Sequence, residues 1–384
     1  MRAGVIRESY PDEKRVSVVP GDVGRLKKKS IELMVESGAG EPAGFRDADY
    51  EKAGATLQSR SEVLGAADVL LQVRGLGQNP EAGRLDVDAL ESGRVVIGFL
   101  DPLAQPELMR PFVEKSLTAL SMELMPRITR AQSMDALSSM ASVAGYRCVL
   151  LAADALPKMF PMSMTAAGTL QAAKVFVLGA GVAGLQAIAT AKRLGARVEA
   201  FDIRREVKDQ VVSVGGTFVE LDVEGDSDKD GYAKEQTEET QKRQQELMAK
   251  HVAQADVVIT TAAIPGRKAP VLVTQAMVEA MSAGSVVVDL AAETGGNCEL
   301  TEAGTDVHHQ GVTVIGPRNI ASSHPYHASQ MYSRNIVTFL GHLVSDEGAM
   351  TLDVEDEITA ATLITRDGEL VHPRVKSLLD GGTS

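Results

Sequence analysis

K-V-F-V-L-G-A-G-V-A-G-L-Q-A-I-A-T-A-K-R-L-G-A-R-V-E-A-F-D, residues 174 to 202, decides the fold. An apolar run leads into glycines spaced G-x-G-x-x-G, at Gly179, Gly181 and Gly184. A helical pattern follows, and then a second strand-like run ending at Asp202. In that context each glycine has a purpose. Gly179 permits a tight turn, Gly181 lets the backbone approach a pyrophosphate, and Gly184 lets the helix sit close to the strand. The helix N-terminus offers free N–H groups and a favourable dipole to an anion. Asp202, 23 residues after Gly179, stands where a carboxylate grips a ribose 2′-hydroxyl and repels a 2′-phosphate. That favours NAD(H) over NADP(H). Arg204 and Arg205 pull the other way, because an arginine there accommodates a 2′-phosphate, and Arg204 also suits stacking on adenine. A glycine turn with no ligand is the plain alternative.

Working outward, β-branched runs alternate with helical patterns, the signature of parallel sheets covered by helices. Downstream strands are expected at Phe218–Leu221, Val257–Thr260, Ser285–Leu290 and Val312–Ile315. With Lys174–Leu178 and Arg197–Phe201 they make six, enough for one doubly wound Rossmann sheet. Upstream, strands are expected at Gly4–Arg7, Glu32–Glu36, Val69–Val73, Val95–Phe99 and Ala119–Glu123, with a helix at Gly21–Lys29 among them. A long helix should start near Ser133 as N-cap, with Asp135 at its positive end, and stop at Pro157. Residues 327–343 read as a helix returning to the first domain, and the tail reads as a hairpin turning at Asp367–Gly368. The expected architecture is therefore α/β in two domains. Residues 1–134 with 325–384 form a discontinuous α/β domain, and 135–324 form the Rossmann domain.

A chain of 384 residues that is 44% hydrophobic has material for two cores. Its net charge of -13 argues against nucleic acid or anionic lipid as a partner. Cys148 and Cys298 are the only cysteines, too few for a disulfide framework and without metal-ligand spacing, so a reducing compartment and no metal are expected. The N-terminal stretch is charged and has no apolar signal core. The apolar stretch from Val175 to Ala191 is short of a membrane span, so no direct membrane insertion is expected.

R-I-T-R-A-Q-S-M-D-A-L-S-S, residues 127 to 139, crowds Arg127, Arg130, Gln132, Asp135, Ser138 and Ser139 together with no histidine, cysteine or paired carboxylate. Such a set positions a ligand better than it moves protons. It is also compatible with an ordinary Arg127–Asp135 ion pair and a Ser138 that satisfies helix backbone.

This block, with G-A-G-V-A-G-L-Q, G-D-S-D-K-D-G-Y-A-K-E, T-T-A-A-I-P-G-R-K-A-P and D-L-A-A-E-T-G-G-N-C in that order, resembles the soluble NAD(H)-binding domain of proton-translocating transhydrogenases. That family is related to alanine dehydrogenase, and the resemblance runs from R-E-S-Y-P-D-E-K-R near the start to the end. It implies that Arg127, Gln132, Asp135 and Ser138 hold the dihydronicotinamide end. It implies that Val182 and Ile203 flank the dinucleotide, and that Ala263 and Ile264 approach the adenosine or nicotinamide ribose region. Gly231, Tyr232 and Ala233 would belong to a mobile loop closing over the nucleotide, which the polar composition around them also suits. It further implies Si/Re-specific hydride transfer, a homodimer, a partner subunit carrying NADP(H) and a membrane-spanning proton-channel subunit. The place implied is the cytoplasmic face of a bacterial inner membrane, peripherally, through those partners.

The reaction expected follows from what is missing. Dehydrogenases of that kinship use a histidine in the first domain to move a proton; here the corresponding stretch V-V-I-G-F-L-D-P-L offers Phe99 and Asp101, and the first histidine of the chain is His251. Arg15, whose counterpart binds the keto acid, is retained. Oxidising an amino acid needs proton transfer, whereas hydride exchange between two nicotinamides needs only that the rings be held face to face. Glu293 is left as either a cleft group or a solvated turn carboxylate. His308, His309, His324 and His327 are expected at the surface or an interface. A self-sufficient amino-acid dehydrogenase and a non-catalytic NAD(H) sensor are the competing readings.

Overall fold

Alternate residues of the central strand face opposite cores. Val175 and Val177 pack with Val198, Ala200, Ile259 and Val288, while Phe176 and Leu178 pack with Val258, Val287 and Val314. A strand buried on both faces reads as an unbroken apolar run. This is why Lys174–Leu178, Val257–Thr260 and Val312–Ile315 stand at the residues expected for them, and Arg197–Phe201 does so with alternating exposed and buried residues. The computed structural model describes residues 1–220, 238–263 and 266–381. They divide into two units, Met1–Met140 with Ala321–Ser384, and Ala141–Ile320.

In the second unit the sheet runs, edge to edge, Thr217–Phe218, Arg197–Phe201, Lys174–Leu178, Val257–Thr260, Val286–Asp289, Val312–Ile315, Asp306–His309. All neighbours are parallel except the last pair. This is the doubly wound order, with the fingerprint strand at its switch point. The antiparallel edge strand Asp306–His309 was not anticipated. It is half exposed and ends in two histidines, so nothing apolar marks it. Of the expected Phe218–Leu221, the structure has a strand at Thr217–Phe218 with Val219 and Glu220 outside it, while Leu221 lies outside the described residues; Ser285–Leu290 shortens to Val286–Asp289.

The first unit has an eight-stranded sheet ordered Glu369–Leu370, Leu363–Arg366, Thr118–Ser121, Val95–Phe99, Val69–Arg74, Arg2–Val5, Glu32–Glu36, Thr56–Gln58. The first strand lies earlier than expected because Arg2 to Val5 pair with Glu32 to Val35, and the Arg7 N–H already leaves the ladder for Glu36 Oε2 at 2.8 Å. The tail hairpin is present, turning at Asp367 and Gly368 with φ of 52° and 79°, but residues Glu357–Thr362 before it are helical. Helix Pro325–His342 is stitched to the N-terminal segment. Its Ser329 and Ser333 hydroxyls accept the Val16 and Val19 N–H groups at 3.0 Å each, and the Tyr332 hydroxyl donates to the Gln72 carbonyl at 2.7 Å.

The long helix is Ala136–Ala155, and its cap is Asp135 rather than Ser133. The Ser138 N–H donates to Asp135 Oδ1 at 2.9 Å, while Ser133 belongs to the preceding 3-10 turn Thr129–Met134. The helix is long and apolar enough by composition to cross a membrane. Its apolar side chains serve packing instead: Cys148, Val149 and Ala152 are in the core of the second unit, and a Cβ at Gly145 would meet the Ala183 carbonyl oxygen at 2.1 Å. Beyond it, a two-stranded hairpin, Ser163–Thr165 with Gly168–Leu170, exposes Met164 and Leu170.

Candidate functional site

Gly179 sits at φ 97°, the left-handed region that a side chain would strain, and its N–H donates to the Phe201 carbonyl at 2.8 Å. A Cβ on Gly184 would lie 1.9 Å from the Gly179 oxygen, so only glycine lets helix Val182–Arg193 start here. Gly181 differs. It caps the helix with φ -74°, a conformation any residue adopts, and no atom lies within 4 Å of where its Cβ would be. The space beside it is open, and the first-turn N–H groups of the helix have no helical carbonyl to bind. Such a cradle fits a dinucleotide pyrophosphate.

Asp202 follows at the end of the neighbouring strand, with the carboxylate largely buried. Oδ2 accepts the Ala180 N–H at 2.8 Å, Oδ1 accepts the Arg204 N–H at 2.9 Å, and the Arg204 guanidinium bridges both oxygens at 3.0 Å. Burial pushes this carboxyl up, but the hydrogen bonds from Arg204 and Ala180 outweigh it and hold the group below its ordinary value. Arg204 thus pairs with Asp202 through the edge of its guanidinium while its side chain stays about half exposed. Val182 and Ile203 project outward, 43% and 83% exposed. Ala263 is exposed as well, while Ile264, Gly231, Tyr232 and Ala233 lie outside the described residues.

Three residues that sequence reasoning did not single out hold this turn and the loops beside it. The Thr261 hydroxyl donates to the Gly179 carbonyl at 3.0 Å. Asn297, fully buried, accepts the Ala262 N–H at 3.0 Å and donates to the carbonyls of Ala262 and Pro270 at 2.9 and 2.8 Å. Asp289 accepts from the Thr260 and Thr301 hydroxyls and from the N–H groups of Ala291, Asn297 and Cys298. The signal was present as a strand ending in aspartate before a Gly-Gly-Asn turn. Glu293 in the same turn accepts the Asn319 N–H at 3.0 Å, which gives it a structural partner.

In the first unit, residues 127–135 wind through the 3-10 turn Thr129–Met134, with Ala131 and Met134 buried. Arg127 and Gln132 are exposed, with no side-chain hydrogen bond to the described residues. Asp135 and Ser138 hold one another: besides the cap, the Ser138 hydroxyl donates to Asp135 Oδ2 at 2.6 Å. An Arg127–Asp135 ion pair is not formed. Arg130 instead reaches Asp356, at 2.6 Å.

The stretch where a dehydrogenase would carry its histidine leads through Phe99 to Asp101, at φ 50°. Burial raises the Asp101 carboxyl. Nearby Glu123, deep in the fold though partly reached by solvent, is pushed up by burial to about 7, against donors from Ser121, Asp101 and Leu100. Both its oxygens are occupied by those structural donors and by Gln78. Arg15 is buried and forked onto Glu13, through Nε at 2.8 Å and Nη2 at 2.6 Å, and Arg74 Nε joins the same carboxylate at 3.1 Å. Against burial, Arg15 pulls Glu13 down to about 2. His251 pairs with Glu199 at 2.8 Å, His309 with Glu279 at 2.9 Å and His342 with Asp356 at 2.8 Å, so three histidines do have carboxylate partners. No group of three metal-ligating side chains occurs among the described residues. Burial pushes both thiols up, Cys298 to about 11, which leaves them inert.

A sheet in doubly wound order, with a glycine turn and helix N-terminus at the switch point, makes this a Rossmann-type nucleotide-binding protein of two α/β units. The family description alanine dehydrogenase/PNT, N-terminal domain, matches residues 4–144, and its C-terminal domain matches residues 148–373. The chain belongs to the alanine dehydrogenase/PNT family. It is 44% identical to a chain of Rhodospirillum rubrum named as an NAD(P) transhydrogenase alpha subunit, over 97% of this chain and 98% of that one. The crystal structure of transhydrogenase from Sinorhizobium meliloti superposes with a TM-score of 0.86 at 45% identity, covering 97% of this chain and 100% of that one. An L-alanine dehydrogenase structure superposes at 0.82 with 26% identity, covering 99% of both chains.

Proposed function

We propose that this chain is the NAD(H)-binding component of a proton-translocating transhydrogenase, with the net reaction NADH + NADP+ → NAD+ + NADPH. The observation that carries the reading is end-to-end likeness, at 44% identity, to a relative named as a transhydrogenase alpha subunit. The coenzyme, when bound, supplies the hydride, and NADP+ on a partner subunit receives it. The chain's own residues bind and orient. The amides after Gly181 take the pyrophosphate, Asp202 takes a ribose hydroxyl, and Arg127 and Gln132 steady the ring end, with Asp135 and Ser138 behind them. Val182, Ile203, Arg204, Ala263, Ile264, Gly231, Tyr232 and Ala233 complete the binding set. No proton has to move at the reacting carbon, which accords with Glu123 being saturated by structural donors and with Arg15 being tied to Glu13.

The partners of this reading are a second copy of the chain, an NADP(H)-binding subunit and a membrane-spanning proton channel, with the chain held at the cytoplasmic face through them. The exposed Met164 and Leu170 of the hairpin are the kind of surface a second copy covers. Titration of the isolated chain tests the reading: NADH should bind more tightly than NADPH. Pyruvate and ammonia should then consume no NADH, whereas the purified NADP(H)-binding subunit with an NADP+ analogue should. Turnover of pyruvate by the isolated chain would establish a dehydrogenase, and binding without exchange would establish a sensor.

A further inference from the structure

Arg130 stands among the residues of the 127–135 loop, yet its side chain turns away from Arg127 and Gln132 toward the far end of the sequence. Its Nη2 lies 2.6 Å from Asp356 Oδ2. Asp356 is itself fixed. Oδ1 accepts the Ile358 and Thr359 N–H groups at 3.1 Å each, as N-cap of helix Glu357–Thr362, and is bonded to His342 Nε2 at 2.8 Å. Three residues along the loop, the Ser133 carbonyl accepts from Asn335 Nδ2 at 2.9 Å, and Asn335 is only 5% exposed on helix Pro325–His342. The turn is therefore clamped at Arg130 and at Ser133, with Asp135 closing it onto the long helix. Gln132 lies between the two clamps.

We infer that Asp356 and Asn335 are positioning residues for the 127–135 loop, holding Arg127 and Gln132 in the orientation that presents the reduced nicotinamide. Neither needs to touch the coenzyme. Two attachment points on one short turn restrict rotation of the segment between them, and a ring held for direct transfer is sensitive to small displacements. A half-exposed ion pair such as Arg130–Asp356 supplies only part of this restraint. The buried Asn335 bond supplies the rest, since its loss would leave the Ser133 carbonyl without that donor. The inference rests on the functional reading above for its coenzyme, but the clamp itself belongs to the chain alone.

Asp356→Asn separates the two roles of that residue, because asparagine caps a helix as well as aspartate does while losing the charge that holds Arg130. Hydrogen exchange of the full chain without nucleotide comes first. Amides 129–134 should exchange about two- to fivefold faster in Asp356→Asn, the range set by a pair of this exposure, and about two- to tenfold faster in Asn335→Ala, the range set by one lost hydrogen bond. Protection of helix Ala136–Ala155 should be unchanged, and Arg130→Lys should restore most of the protection that Arg130→Gln removes. With NADH added, calorimetric affinity should move less than about twofold while the fluorescence anisotropy of the bound dihydronicotinamide falls. Unchanged exchange in both variants would overturn the clamp. Faster exchange with unaltered ring anisotropy would overturn the positioning role. A wild-type chain that binds no NADH would defeat the functional reading, while the exchange measurement would still decide the clamp.

Discussion

At Gly179–Gly184 the chain builds its candidate site by leaving side chains out, while at Arg127–Ser138 it builds one from side chains on a turn that partners far away in sequence fasten at Arg130 and at the Ser133 carbonyl. The first is local. A strand, a turn at φ 97° and a helix start supply the geometry, and a Cβ at Gly184 has no room beside the Gly179 carbonyl. The second depends on contacts such as Asn335 to Ser133, 202 residues apart. Backbone cradles are therefore rigid and readable from spacing. Side-chain clamps are adjustable and show themselves only once the chain has folded.

The sharpest way to break the comparison is within the fingerprint. Gly184→Ala drives a Cβ into backbone and should cost about 3 kcal/mol of stability or more, measured by urea unfolding. Gly181→Ala, with open space around it, should leave stability within about 0.5 kcal/mol yet weaken NADH binding tenfold or more, since the methyl occupies the phosphate side of the turn. Unchanged affinity there would end the cradle reading. Asp202→Ala should weaken NADH by about tenfold in a fluorescence titration, and an unaltered constant would remove Asp202 from the site. On the other side of the comparison, Gln132→Asn should slow hydride exchange with the NADP(H) subunit by roughly three- to tenfold and change affinity far less. Equal losses in both would make Gln132 a plain binding residue.

The smallest effect concerns pH. Burial pushes Glu8 up to about 8 and Glu123 up to about 7, although both are partly reached by solvent. The folded chain keeps these protons where the unfolded chain has lost them, so each group makes stability fall as pH rises from about 4.5 to the folded value. Glu8→Gln and Glu123→Gln should flatten that decline in thermal unfolding followed between pH 5 and 8. A decline that is the same in wild type and both variants would place its origin elsewhere.

Most of the doubly wound sheet was legible because strands buried on both faces leave long apolar runs. Edges were read poorly. Thr217–Phe218 and Asp306–His309 carry charged or polar residues, so hydrogen bonding to a neighbour defines them more than pattern does. The glycine turn was legible to the residue. The supports behind it, Thr261, Asn297 and Asp289, were not, since an ordinary threonine or asparagine gives no sign of which carbonyl it will meet. Asp135 was placed at the helix start on charge grounds, but the cap went to Ser133, because both residue types cap well and only the 3-10 turn preceding the helix separates them.

The five donors that converge on the Asp289 carboxylate come from residues 260 to 301, all made well after the glycine turn. A ribosome that has released the fingerprint strand and its helix has not yet released the groups that brace them. The newborn chain therefore carries the fingerprint for some seconds, at about 5–20 residues per second, before its braces exist. A chain terminated before residue 301 would hold the turn without the full set of donors that fix the loops beside it.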